Sequence, residues 1–265
     1  MKNNLFIFSI LCLFLVACDH IAENDRLIEV QSTQPADDVP TATARAVLLE
    51  DFTGQRCVNC PTGTEVIEQL QEAYGDQLIA VGVHSGPLGF KGNAKNIGLA
   101  TDIGDEYYNY WKLEYQPVGL INRHGAVNYT DWTAEVVKQL NMMSEIKLEL
   151  EAKLQSEQII ISVKGQNLGD DYKGKLQVWV LEDGIVAMQS MPDGTVNREY
   201  IHNHVLRTAV NGTWGDAIDF KEAETKTLTY SQTVDAAWNK ANLSVVAFVY
   251  NDDGVEQAAK TKVTE

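Results

Sequence analysis

Two cysteines three residues apart, Cys57 and Cys60, stand between two segments of opposite habit. Before them, Ala46-Val47-Leu48-Leu49-Glu50-Asp51-Phe52 reads as a buried strand. After them, Pro61 to Tyr74 has the period of an amphipathic helix, with Val66, Ile67 and Leu70 inward. The pair therefore lies at a strand-to-helix turn, where free N–H groups and the helix dipole stabilise a thiolate. That lowers the pKa expected of Cys57 and makes it the nucleophile of disulfide exchange, with Cys60 resolving. Arg56 further favours the thiolate, and Pro61 suits the first turn of the helix.

The other two cysteines, Cys12 and Cys18, belong to the N-terminus. Lys2 precedes an apolar run from Leu5 to Ala17, broken only by Ser9, that is too short to span a bilayer and reads as a signal peptide over residues 1–17. Its end, Leu15-Val16-Ala17-Cys18, resembles the bacterial lipobox, which implies a lipid on the Cys18 thiol and palmitate-type acylation of the new N-terminus. Several acyl chains together anchor stably where one does not. Residues 18–44 are polar, acidic and proline-bearing and read as a flexible tether. Removal of Cys12 and acylation of Cys18 leave one thiol pair in the mature chain. A zinc site would need further ligands, which five scattered histidines do not supply, so in an oxidising compartment a Cys57–Cys60 disulfide is the simpler outcome. The net charge of −16 argues against nucleic acid and against electrostatic docking on anionic lipid, so membrane contact is expected through Cys18 alone.

Asp51-Phe52 stands six residues before Cys57, and in this the chain resembles the thioredoxin family. The resemblance implies that Asp51 is a buried carboxylate exchanging protons with Cys60. It also implies a cis-proline facing the disulfide, for which Pro117 in Tyr115-Gln116-Pro117-Val118-Gly119-Leu120-Ile121-Asn122 is the candidate. Between these landmarks, residues 77–83 read as a strand and 94–113 as a helical insertion rich in Tyr and Trp. A turn at His124-Gly125, a strand over 126–129 and a helix over 131–143, capped by Thr130 or Asp131, follow. Residues 45–143 thus read as a thioredoxin-like domain. The chain departs from the family pattern at Val58-Asn59, where Gly-Pro is usual, and at Arg56, where an aromatic is usual.

Beyond Met143 the period becomes two. Strands are expected at 146–152, 158–163, 175–181, 203–209, 225–230 and 243–250, with turns at Asp183-Gly184, Asp193-Gly194, Asn211-Gly212 and Asp253-Gly254. Strands at this spacing predict an antiparallel immunoglobulin-like β-sandwich over 144–265, so the whole chain reads as α/β plus all-β. His202 and His204 would share one face of a strand, yet two histidines make a weak metal site, and a structural or binding role is the simpler reading. Asp252-Asp253-Gly254 lacks the spaced oxygen ligands of a calcium loop and reads as a hairpin turn. Nothing in the sequence requires a metal or a cofactor.

The lipobox, the string Glu50-Asp51-Phe52-Thr53-Gly54-Gln55-Arg56-Cys57-Val58-Asn59-Cys60-Pro61, Tyr115-Gln116-Pro117, and Tyr200-Ile201-His202-Asn203-His204-Val205-Leu206-Arg207 together resemble the outer-membrane lipoprotein family named for its 28-kDa member. That resemblance implies a lipid-anchored protein of the outer membrane, sometimes associated with adhesion, on either its periplasmic or its outer face. Two functions follow from the residues. In one, the chain is a thiol-disulfide oxidoreductase acting on a protein disulfide. In the other, it is a surface binding or adhesion protein with an envelope or host protein as partner, and the disulfide is an inert staple.

Overall fold

A two-residue strand, β1 (Thr43–Ala44), leads into β2 (Val47–Thr53), whose seven residues are all buried because its sheet is covered on both faces. This computed structural model describes residues 41–265, which form one compact unit. The signal peptide, Cys18 and all but the end of the tether lie outside the described residues. After β2 come α1 (Cys60–Tyr74), β3 (Leu78–His84), α2 (Asp102–Tyr110), β4 (Val118–Ile121), β5 (Ala126–Asn128) and α3 (Trp132–Leu140). Strand β2 runs parallel to β3 and antiparallel to β4, which pairs antiparallel with β5.

Three expectations are corrected here. The helical insertion is only α2, begun by Thr101, whose hydroxyl accepts from the Gly104 N–H. Residues 94–101 form a loop because the Asn93 side chain accepts from the Lys95 and Asn96 N–H groups, a local turn that competes with helix. Neither Thr130 nor Asp131 caps α3 through its side chain. Asn128 instead accepts from the Thr130 N–H and opens a 3-10 turn over Tyr129–Asp131 that runs into the helix. The helix stops at Leu140, and Met143 enters β6 (Met143–Ser144), which pairs with β1.

The remainder is strand: β7 (Ile146–Gln155), β8 (Gln158–Asn167), β9 (Tyr172–Glu182), β10 (Ile185–Ser190), β11 (Val196–His202), β12 (Val205–Ala209), β13 (Asp216–Phe220), β14 (Thr225–Thr233), β15 (Leu243–Asn251) and β16 (Gly254–Lys262). These strands do not stand apart from the first half. The largest sheet has the order β16-β15-β9-β12-β3-β2-β4-β5, with β13 also on β9. The join is at Gly82, which pairs in parallel with Val205 and donates its N–H to the His204 carbonyl at 2.8 Å. A three-stranded sheet, β14-β8-β7, lies against one face of β9 and β15. There Ile159, Ile161 and Val163 meet Val178, Val180, Val245 and Ala247. The alternate residues Trp179, Leu181, Val246 and Phe248 pack with Leu48, Phe52, Val81 and Tyr107.

On the other face of β2, Val47 and Leu49 pack with Ile67 and Leu70 of α1 and with Trp132 and Val136 of α3. Gly119 of β4 lies directly beneath the Trp132 indole, where a Cβ would stand 2.4 Å from Nε1 and 2.9 Å from a Leu49 methyl. Gly119→Ala is therefore expected to lower stability by about 1–3 kcal/mol through overpacking, read as a lower urea midpoint with an unchanged m-value.

The expected strand over 203–209 is also corrected. His202 ends β11, Asn203 and His204 form a turn in which His204 has φ 56°, and β12 begins at Val205. The two histidines therefore do not alternate along one strand, although both line the cavity beside the disulfide. The turn forms because the Asp183 carboxylate accepts from the His204 backbone N–H at 2.6 Å and lies 3.1 Å from its Nδ1. The hairpin β10–β11, the strand β13 and the closing strand β16 have no counterpart in the period-two reading.

Candidate disulfide site

Cys57 and Cys60 are bonded to each other, with their Cα atoms 5.4 Å apart. The turn is shaped locally: the Cys57 N–H donates to the Gly54 carbonyl at 3.0 Å, and the Thr62 N–H to the Asn59 carbonyl. Cys60 is the first residue of α1 and Pro61 the second, so the helix N-terminus points at the disulfide. Arg56 is exposed, with its guanidinium 4.8 Å from the centre of the Phe90 ring.

Asp51 is brought in by the alternation of β2. Residues 47, 49 and 51 face the helices, whereas Glu50 faces the opposite side. Asp51 is buried, and its Oδ1 has no hydrogen-bond partner among the described residues. Burial alone pushes its carboxyl up to about 8. It lines a cavity of about 40 Å³, roomy enough for water, together with Cys60, His84, Gln189, Tyr200 and His202. The Gln116–Pro117 peptide is cis, and the Pro117 ring packs on α1 at Gly63, where a Cβ would meet it at 3.3 Å. Asp51, the cysteine pair and Pro117 thus converge on the start of α1. Cys18 lies outside the described residues.

Several residues of the site are absent from the sequence reading. His84, at the end of β3, stands edge-on to His202 with ring centres 5.2 Å apart. Burial, helped by the charges of His202 and Arg207, holds His84 well below the usual imidazole range, and burial holds His202 at about 4. Both rings are neutral at pH 7. His202 arrives on β11, and with it the β10–β11 hairpin crosses the cysteine turn. The Gln189 amide donates to the Cys57 carbonyl at 2.8 Å and to the Gly54 carbonyl at 3.3 Å. Gln55 is fully buried. It accepts from the Leu99 N–H at 2.8 Å and donates to the carbonyls of Ile97 and Met188 at 3.1 Å. Gln116 donates to the carbonyls of Thr53 and Ser85. Three glutamines thus tie the turn to the 85–99 loop and to the hairpin. Both cysteines are left only 1% exposed. A glutamine gives no local sequence signal for such a bridge, because its partners are main-chain groups far along the chain.

A mixed sheet flanked by helices, carrying a buried disulfide at a helix N-terminus and extended by a strand-rich second half, defines an α/β plus β protein of the disulfide-bearing kind. Residues 104–265 match the family Outer membrane protein Omp28, and the chain belongs to that family of outer membrane proteins. The matched stretch contains Pro117 and His202 but begins after the cysteine turn. Among solved structures, HBP35 of Porphyromonas gingivalis is similar at 17% identity, with a TM-score of 0.66, over 83% of this chain and 76% of that one. A protein from Agrobacterium tumefaciens is similar at 15% identity, with a TM-score of 0.52, over 82% of this chain and 94% of that one. Both likenesses are of fold. A domain of the outer membrane lipoprotein Omp28 from Porphyromonas gingivalis matches at 28% identity over 46% of this chain and 89% of that one, with a TM-score of 0.34. No curated protein matches the chain.

Proposed function

We propose that this outer membrane protein is a thiol-disulfide oxidoreductase, built on a thioredoxin-like unit over residues 45–143 that shares its sheet with an immunoglobulin-like sandwich over 144–265. The observation that carries this reading is the unpartnered Asp51 carboxyl in the cavity it shares with Cys60. A buried acid held near 8 can take a proton from a thiol and return it at neutral pH. In the reduced enzyme, the Cys57 thiolate attacks a protein disulfide, forming a mixed disulfide and expelling one substrate thiolate. Asp51 accepts the Cys60 proton, and the Cys60 thiolate attacks Cys57, re-forming the bond seen here and releasing the second substrate thiolate. Two electrons pass to the substrate; a dithiol substrate runs the steps in reverse. Exposed apolar side chains next to the turn, Val58, Ile97 and Ile201, suit a protein substrate. Acylated Cys18 and a tether shorter than the expected 18–44, since Thr43–Ala44 form β1 and pair with β6, supply the membrane anchor.

One observation favours the second reading, a surface binding or adhesion protein with an inert staple: both cysteines are almost wholly covered. The reduction potential of the pair decides between them. A potential between about −270 and −120 mV, with Cys57 alkylated rapidly below pH 7, is the result expected of an exchange enzyme. A potential below about −300 mV with a slow, ordinary thiol assigns the disulfide to structure.

A further inference from the structure

We propose that a second site, a cleft walled by Tyr110, Trp111, Trp214 and Tyr250, binds a small ring compound that carries a carboxylate. The cleft has a volume of about 690 Å³ and lies at the end of the sheet away from the disulfide. Strand register gives its position: Val118 of β4 pairs with Phe52, near the cysteines, while Ile121 pairs with Leu49, and Arg123 of the cleft follows Ile121.

The walls are built in advance. The rings of Tyr110 and Trp214 lie 4.2 Å apart between centres and tilted by 48°. The Tyr250 hydroxyl donates to the Trp214 carbonyl at 2.7 Å, and the Tyr107 hydroxyl to the Thr213 carbonyl at 2.5 Å, which fixes the loop that carries Trp214. Tyr110 is nevertheless 61% exposed, although it packs on Trp214 and on Trp111, so much of its ring lies open to the cleft.

The floor is made of donors. The Arg123 side chain is 2% exposed; its Nε bonds Glu50, and neither Nη1 nor Nη2 has a partner among the described residues. The Trp111 Nε1–H is buried and likewise unpartnered. Lys173 and Lys175, alternate and exposed residues of β9, add two ammonium groups at the rim, with Asp252 the one acidic residue of the lining. In a chain of net charge −16, such a gathering of cations and unpaired donors is local and selective. A carboxylate supplies the acceptors and the charge that these groups lack, and the apolar face of a ring supplies the surface that Tyr110 and Trp214 pack against.

The test is calorimetric titration of the full chain with glucuronate and with phenylacetate, one a sugar ring and the other an aromatic ring, beside the neutral counterparts glucose and phenylacetamide. Saturable binding of either acid, weakened about tenfold or more in Lys173→Gln/Lys175→Gln and again in Tyr110→Ala, is the result expected, and the acid that binds identifies the ring. All three side chains are exposed, and an unchanged circular dichroism spectrum shows that the fold stands. Absence of saturable heat with both acids up to about 10 mM, equal binding of a neutral counterpart, or indifference to the lysine pair would overturn the proposal.

Discussion

Asp51→Asn is expected to leave stability nearly unchanged at pH 4 and to raise it by up to about 5 kcal/mol at pH 9. The sign follows from burial. The folded carboxyl titrates at about 8, the unfolded one at 3.8. Below pH 3.8 both states are protonated, and the parent loses nothing. As pH rises toward 8 the unfolded chain releases its proton while the folded chain keeps it, so the parent is progressively destabilised, and above 8 the loss is complete. Asparagine does not titrate and escapes that slope. His84 and His202, whose folded values are depressed, act oppositely: they favour the fold above the ordinary imidazole range and oppose it as pH falls. Parent and variant share both histidines, so the difference between their urea midpoints from pH 4 to 9 isolates Asp51. Parallel midpoints over that range would mean that the carboxyl is solvated or paired. If the proposed exchange chemistry holds, the same substitution slows the resolving step, so stability and turnover move in opposite directions.

Removing Glu50 alone, as Glu50→Leu, is expected to cost about 3–5 kcal/mol, while adding Arg123→Met to it restores most of the loss. Glu50 and Arg123 meet at 2.7 Å with side chains 0% and 2% exposed. Burial works against the Arg123 charge, and the Glu50 carboxylate more than offsets it, so the guanidinium stays charged. It also lies 4.7 Å from the Phe248 ring centre and 4.4 Å from that of Tyr250. Without its anion it would be an uncompensated buried charge between ring faces at the floor of the cleft. With both residues apolar the volume is filled and no charge is stranded. A double-mutant cycle in urea gives the coupling directly, and additive single losses would refute a paired, buried interaction.

Much of the first half was legible because its signals are local. The apolar run before Cys57, the helical period after Pro61 and the Asp51-to-Cys57 spacing each state their own structure, and β2, α1 and the disulfide lie where they indicate. The 94–113 segment is helical only over Asp102–Tyr110, because the Asn93 side chain turns the chain before it, a local competition that hydrophobic period does not register. In the second half the runs Val178–Leu181 and Val245–Val249 are apolar at every position, information that a period of two does not use. Runs without polar alternation belong to strands covered on both faces, as β9 and β15 are. Those strands extend the same sheet as β2 and β3.

The sequence by itself determined the elements around the cysteines and the acidic balance of the chain, because strand period, helix period and motif spacing act over a few residues. Only the tertiary structure decided what surrounds the disulfide. His84, Gln189 and His202 reach it from β3 and from the β10–β11 hairpin, Gln189 bonding Gly54 across 135 residues of chain. It likewise joined Glu50 to Arg123, 73 residues apart in the chain, and gathered Tyr110, Trp214 and Lys173 at one cleft. Such groups meet because a folded sheet buries their backbones side by side, and contact energies of that kind depend on position in space, which residue spacing does not encode.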